Sequence, residues 1–158
     1  MKNIDRALMD TALIFSQQSY AERKKVGAVL SREGRIIACG YNGTLPGVSN
    51  QCEIEIECQD CFDGRVGDDE ICNKCNGSGK ILETSEFVLH AEQNLLMFCA
   101  KEGLKTKDSN LYITMAPCKT CAKLIVAAGI KKVFYNETYR DMSGVEFLVN
   151  LGVNVILL

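Results

Sequence analysis

The chain has 158 residues, with 18 lysines and arginines against 20 aspartates and glutamates, a formal charge of −2 and no tryptophan. That balance is poor for holding long nucleic acid through its phosphates or stacking on its bases, so a DNA or RNA polymer is not the expected substrate. A hydrophobic content of 47% supports one domain with its own core, and Met1-Lys2-Asn3 leads into no long apolar stretch, so neither a secretory signal nor a membrane span is expected.

Ile4, Ala7, Leu8, Thr11, Ile14 and Phe15 recur at helical spacing and predict an amphipathic helix over residues 3–19. Val26-Gly27-Ala28-Val29-Leu30 and Arg35-Ile36-Ile37-Ala38-Cys39 read as two strands joined by a hairpin connection at 31–34. Gly40-Tyr41-Asn42-Gly43 then breaks the strand and opens a loop. Residues 52–84 change character, with four cysteines, several glycines and acids and little periodic apolar pattern, and read as an insertion. A helix is predicted from Leu89 to about Lys101, with Gly103 as its stop. Leu111-Tyr112-Ile113-Thr114 is a strand, residues 118–128 a helix ended by Gly129, and Lys132-Val133-Phe134-Tyr135 a strand. Residues 144–151 read as helix and 153–157 as the last strand. The expected fold class is α/β, a three-layer sandwich around a five-stranded mixed sheet, forming a single domain over 1–158 with 52–84 inserted in it. Residues 136–152 contain a helix and are long enough for a crossover, so the last two strands are expected to run parallel.

Nine cysteines occur beside one histidine. In a reducing compartment, CxxC pairs read as metal ligands rather than disulfides. His90 stands two positions before Glu92, and Pro117-Cys118-Lys119-Thr120-Cys121 supplies one such pair. Cys118 and Cys121 meet on one helical face, and the positive end of the helix helps keep both as thiolates. Pro117 suits the first helical position. One imidazole and two thiolates leave the fourth position of a tetrahedral zinc ion open, as catalytic sites do. Either half alone says little. Together, HxE and PCxxC resemble the signature of zinc-dependent nucleobase deaminases, in which the glutamate is a proton carrier and not a ligand.

With those residues in place, the chain resembles the cytidine deaminase superfamily, and within it the deoxycytidylate (dCMP) deaminases, phage types included. Val26-Gly27-Ala28-Val29, Gly40-Tyr41-Asn42-Gly43, His90-Ala91-Glu92-Gln93-Asn94, the Pro117 to Lys123 segment and Gly129-Ile130-Lys131-Lys132-Val133 carry the likeness. It continues through Tyr135 to Arg140 and Gly152-Val153, and leaves out only 52–84. The resemblance implies the cytidine deaminase-like fold, and hydrolysis of dCMP to dUMP and ammonia in the supply of thymidylate precursors. It implies zinc held by His90, Cys118 and Cys121, with Glu92 as the catalytic residue. It assigns Asn42 to the sugar hydroxyl, Ala91 to the substrate and Tyr135 to the wall of the base pocket. It places an allosteric site at Gly40, Tyr41 and Gly43, where dCTP with Mg²⁺ activates and dTTP inhibits. It implies a homo-oligomer, commonly a hexamer, in the cytoplasm or, for a phage-encoded chain, the cytoplasm of the infected host.

Three departures stand out. Proline follows Gly43 by three positions, at Pro46, where the family usually has two; Ala21 stands where phage members often carry a cysteine, so a second zinc built as in those relatives is not expected; and Lys101 replaces an arginine. Arg23, Lys24, Lys25, Tyr139 and Arg140 are candidates for the substrate's 5′-phosphate, although such a charge run is also what a solvated face looks like.

Within the insert, Cys58-Gln-Asp-Cys61 and Cys72-Asn-Lys-Cys75 form a closed Cys₄ set, expected to hold structural zinc. The continuation Asn76-Gly77-Ser78-Gly79 makes a CxxCxGxG pattern resembling the zinc repeats of DnaJ-type chaperones. The segment is too short and polar to hold itself together otherwise. It is expected to be a stapled surface loop, with capping the site, extending a subunit interface or binding a partner as alternatives, and Cys52 as a spare thiol or substitute ligand. Two further functions compete: a polynucleotide deaminase, and a non-enzymatic zinc-module binding protein. Against the latter, a binding module has no need of Glu92.

Overall fold

The computed structural model describes residues 4–67 and 70–158. In chain order the elements are α1 (Ile4–Ser16), β1 (Gly27–Arg32), β2 (Arg35–Tyr41), β3 (Gly43–Thr44), β4 (Glu53–Glu57), β5 (Arg65–Val66), β6 (Glu70–Ile71), β7 (Lys80–Thr84), β8 (Val88–Leu89), α2 (Ala91–Lys101), β9 (Asn110–Met115), α3 (Lys119–Ala127), β10 (Lys132–Glu137), α4 (Ser143–Asn150) and β11 (Asn154–Leu157). The central sheet has five strands in the order β11-β10-β9-β1-β2. Its two crossovers, carrying α3 and α4, make β9, β10 and β11 parallel, while β1 pairs antiparallel with both β2 and β9.

Strand periodicity explains the layering. Successive side chains point to opposite faces, so Val29, Tyr112 and Phe134 pack on Leu8, Met9 and Ala12 of α1. Their neighbours Ala28, Leu30, Leu111, Ile113 and Val133 turn the other way, onto Leu95, Cys99, Ala122, Ile125 and Leu148 of α2, α3 and α4. Strands flanked on both faces therefore read as continuous apolar runs. Tyr112 and Phe134 stack with ring centroids 4.6 Å apart, and the Tyr112 hydroxyl donates to Asp5 Oδ1 at 2.6 Å.

Several boundaries differ from the expectation for identifiable reasons. The predicted start of the first helix at residue 3 lies outside the described residues. Its end comes at Ser16, because the amides of Gln17, Gln18 and Ser19 turn back to the carbonyls three residues earlier. The first hairpin turns in two residues, Glu33 and Gly34, whose φ angles of 52° and 72° suit the tight turn that matches strand twist. The second strand does not break at Gly40: pairing continues through Ala28↔Gly40 and Gly27↔Tyr41. The insert, where no strands were predicted, holds the hairpin β4–β7 in register Glu53↔Thr84 through Glu57↔Lys80, with the short β5–β6 hairpin beyond it.

Candidate active site

Two helices begin side by side at the edge of this sheet, and each is capped by a residue of the motif. His90 is the N-cap of α2 and Cys118 the N-cap of α3. Both hold extended backbone, which starts the helices one or two residues later than the sequence pattern indicated: Leu89 belongs to β8, and Pro117 precedes the cap instead of opening the helix. The reason is the cap bond itself. Cys118 Sγ accepts the Cys121 N–H at 3.5 Å, and Gln93 Oε1 accepts the His90 N–H at 2.8 Å.

The sulfur of Cys118 lies 3.6 Å and that of Cys121 3.4 Å from His90 Nδ1, and the three ligand atoms all fall within 4.8 Å of one another. The edges of a tetrahedron with zinc–sulfur bonds near 2.3 Å and zinc–nitrogen bonds near 2.0 Å are about 3.4–3.8 Å. The donor set therefore fits zinc, with one vertex left for a fourth ligand. The Cys118 thiol is held down to about 3, first by the Cys121 thiol beside it and then by His90. The same Cys118 partner raises the pKa of His90.

Glu92, in the first turn of α2, is 3% exposed. Burial raises its pKa above the usual carboxylate range, outweighing the favourable backbone and His90 contributions. It lines a cleft of about 260 Å³ together with His90 and Cys118. A buried carboxyl whose pKa is raised, beside an open-coordination cluster, is an arrangement for general acid–base work.

Of the other expected substrate residues, Asn42, Ala91, Arg23 and Tyr139 line this cleft. Asn42 is also a brace: its Oδ1 accepts the Val26 N–H and its Nδ2 donates to the Lys24 carbonyl, both at 2.8 Å. Those bonds clasp either side of Lys25, which is left exposed and outside the lining, while Lys24 takes a place in it. Tyr135 also stands apart from the lining: it is 8% exposed within β10, paired with Ile113 and Leu157. Arg140 lies outside as well, 5.7 Å over the Tyr139 ring. Gly40 and Tyr41 end β2, where Asn94 of α2 donates to the Tyr41 carbonyl at 2.9 Å, and Gly43 pairs with Leu89.

Sequence reasoning missed Cys52, Glu53 and Thr84, which bring the insert to the cleft. The alternation Glu53-Ile54-Glu55-Ile56-Glu57 is a signal for strand β4 but not for a cleft residue within it. Cys52 joins neither metal-ligand cluster found among the described residues. Gly144 was likewise treated only as a helix boundary. A Cβ there would sit 2.0 Å from the Pro117 carbonyl oxygen and 2.7 Å from the Cys118 carbonyl carbon, so only glycine lets α4 press against the loop that aims Cys118. The four insert cysteines Cys58, Cys61, Cys72 and Cys75 do come together, in a second cluster at the far end of the β4–β7 hairpin.

A three-layer sandwich whose paired helix caps present His, Cys, Cys and a buried Glu defines a zinc-dependent nucleobase deaminase fold. Residues 2–137 match the cytidine and deoxycytidylate deaminase zinc-binding region, and the chain belongs to that family. It is 32% identical to the deoxycytidylate deaminase of Enterobacteria phage T4 over 94% of this chain and 86% of that protein. It is 34% identical to the Saccharomyces cerevisiae deoxycytidylate deaminase, over 96% of this chain but 43% of that longer protein. Among solved structures, the dCMP deaminase of cyanophage S-TIM5 in complex with dCMP and dUMP matches with a TM-score of 0.79 and 38% identity, covering 100% of this chain and 98% of that one. Among the described residues no helix is long and apolar enough to cross a membrane.

Proposed function

We propose that this chain hydrolyses dCMP to dUMP and ammonia. The observation that carries the reading is the buried Glu92 beside the His90, Cys118 and Cys121 ligand set, in a cleft walled by Arg23 and Lys24. His90 Nδ1 and the two sulfurs would hold zinc, which supplies a Lewis acid able to make water nucleophilic near neutral pH. Glu92 passes one proton from water to the ring nitrogen as the C4–O bond forms, and then passes the second from the new C4 hydroxyl to the amine as the C4–N bond breaks and ammonia leaves. Its raised pKa suits both directions of transfer. The cationic side chains of Arg23 and Lys24 give the 5′-phosphate a site that a free nucleoside would leave unused.

The same reading includes regulation by dCTP with Mg²⁺ as activator and dTTP as inhibitor. Its structural support is short-range: Gly40, Tyr41 and Gly43 flank the cleft residue Asn42, and Asn94 ties Tyr41 to α2 four residues after His90. The enzyme would act as a homo-oligomer in the cytoplasm, with Asn42 and Ala91 touching substrate.

Ammonia release from dCMP, deoxycytidine, CMP and a single-stranded oligonucleotide, each with and without dCTP plus Mg²⁺, tests this. Turnover of dCMP above the other three, raised by dCTP, is the expected result. Activity on the oligonucleotide alone, or on none, refutes the assignment.

A further inference from the structure

The insert contains a metal-ligand set that deamination of a small nucleotide does not require. Cys58 Sγ lies 3.9 Å from Cys72 Sγ and Cys61 Sγ 3.6 Å from Cys75 Sγ, and all four sulfurs fall within 4.8 Å of one another as free thiols. Four thiolates at zinc–sulfur bonds near 2.3 Å stand about 3.8 Å apart, and they leave no vertex open. The two turns that supply them are cross-tied. The Cys58 N–H donates to the Gly79 carbonyl at 2.7 Å, and the Cys72 N–H to the Gly64 carbonyl at 2.9 Å. Gly64 at φ 84° lies so close to Gly77 that a Cβ would be 2.1 Å from the Gly77 oxygen. Among the described residues almost no apolar packing lies beneath: Ile81 alone joins the four cysteines, and Phe62 is 90% exposed.

The hairpin between this cluster and the domain is thinly supported too. Ile54 and Leu82 are 41% and 46% exposed, and an isolated two-stranded ribbon is marginal in water. Yet its base must be placed accurately. Glu53 is 7% exposed, and its carboxylate accepts the N–H groups of Glu22 at 3.1 Å and Arg23 at 3.2 Å. Glu53, Thr84 and Arg23 line the substrate cleft. A one-residue slip of β4 against β7 would turn Glu53 to solvent and free the Arg23 backbone.

We propose that Cys58, Cys61, Cys72 and Cys75 bind a structural zinc ion that locks the β4–β7 hairpin in register and so fixes one wall of the substrate cleft. Cys58 follows β4 directly and Gly79 precedes β7, so a cross-link there closes the open end of the ribbon. The other end is closed by the Ser85 N–H on the Cys52 carbonyl at 2.8 Å. Glu53 passes that constraint to residues 22 and 23, and Arg23 carries it into the cleft. The wall half of this inference rests on the dCMP reading; the metal half does not.

The test uses reduced, full-length, tag-free protein. Elemental analysis is expected to give two zinc ions per chain, falling to one in the Cys61→Ser/Cys75→Ser double variant. Cobalt-loaded protein should lose the intense visible bands of a tetrathiolate centre in the same variant. KM for dCMP should rise by about tenfold in that variant, with kcat changed far less, because the chemistry is intact and the wall displaced. Glu53→Ala should raise KM similarly while keeping both zinc ions and the cobalt bands. One zinc per native chain overturns the metal site, even if the double variant does not fold. An unchanged KM in Glu53→Ala overturns the link to the cleft. Two zinc ions without dCMP turnover would sink the functional reading and the wall with it, leaving the tetrathiolate site standing.

Discussion

His90, Cys118 and Cys121 converge because a five-stranded sheet and its helices set two N-caps side by side, whereas Cys58, Cys61, Cys72 and Cys75 converge through tight turns with little beneath them. In the first region apolar packing positions the donors, so a metal can be used with one vertex free. In the second, on the zinc proposal, the donors themselves supply the cohesion, and four thiolates take every vertex. The contrast teaches that in this molecule ligand count follows from where the folding free energy comes from.

The sharpest way to separate the two regions is chemical. Glu92→Ala should lower dCMP turnover by roughly 10⁴-fold while both zinc ions remain, read by ammonia release beside elemental analysis. Next comes Gly144→Ala, which forces a Cβ to 2.0 Å from the Pro117 oxygen. It should cost about 3 kcal/mol in urea unfolding and loosen metal at the Cys118 site, leaving the tetrathiolate cobalt bands unchanged. Ile125→Ala, at a fully buried position on the inner face of α3, should cost about 3 kcal/mol by the same measurement.

A smaller effect is confined to alkaline pH. Burial, and then Asp5, pushes the Tyr112 hydroxyl up to about 12 from an ordinary 10.0. The unfolded chain therefore gives up this proton first, so the stabilisation is complete below pH 10 and is lost as pH rises towards 12. Tyr112→Phe should remove about 2 kcal/mol of that alkaline slope from unfolding curves. Phe62→Ser, at the exposed tip of the insert, should change stability by less than about 0.5 kcal/mol. A large loss there would mean that the insert has a core after all, and would blur the comparison.

Legibility followed the same divide. The order of elements around the central sheet and the parallel last strands were readable, because buried strands and amphipathic helices impose apolar periods of their own. Helix caps were not, since the extended backbone at His90 and Cys118 depends on bonds to Gln93 and Cys121 that periodicity does not register. Glu53 was invisible as a cleft residue: its partners Glu22 and Arg23 are remote in sequence, and its strand looks solvent-facing. Tyr135 was expected in the pocket wall and lies instead within β10, outside the cleft lining.

Residue identity and spacing alone supplied the two candidate donor sets: one histidine two before a glutamate with a CxxC, three donors in all, and a Cys₄ set of four. Those are local facts of donor type and count. Tertiary structure decided which side chains share the cleft and which merely adjoin it, how far the carboxyl of Glu92 is withdrawn from water, and that α4 needs Gly144 to reach Cys118. Such features depend on distances between segments far apart in the chain, and on burial, which exists only once the layers have packed.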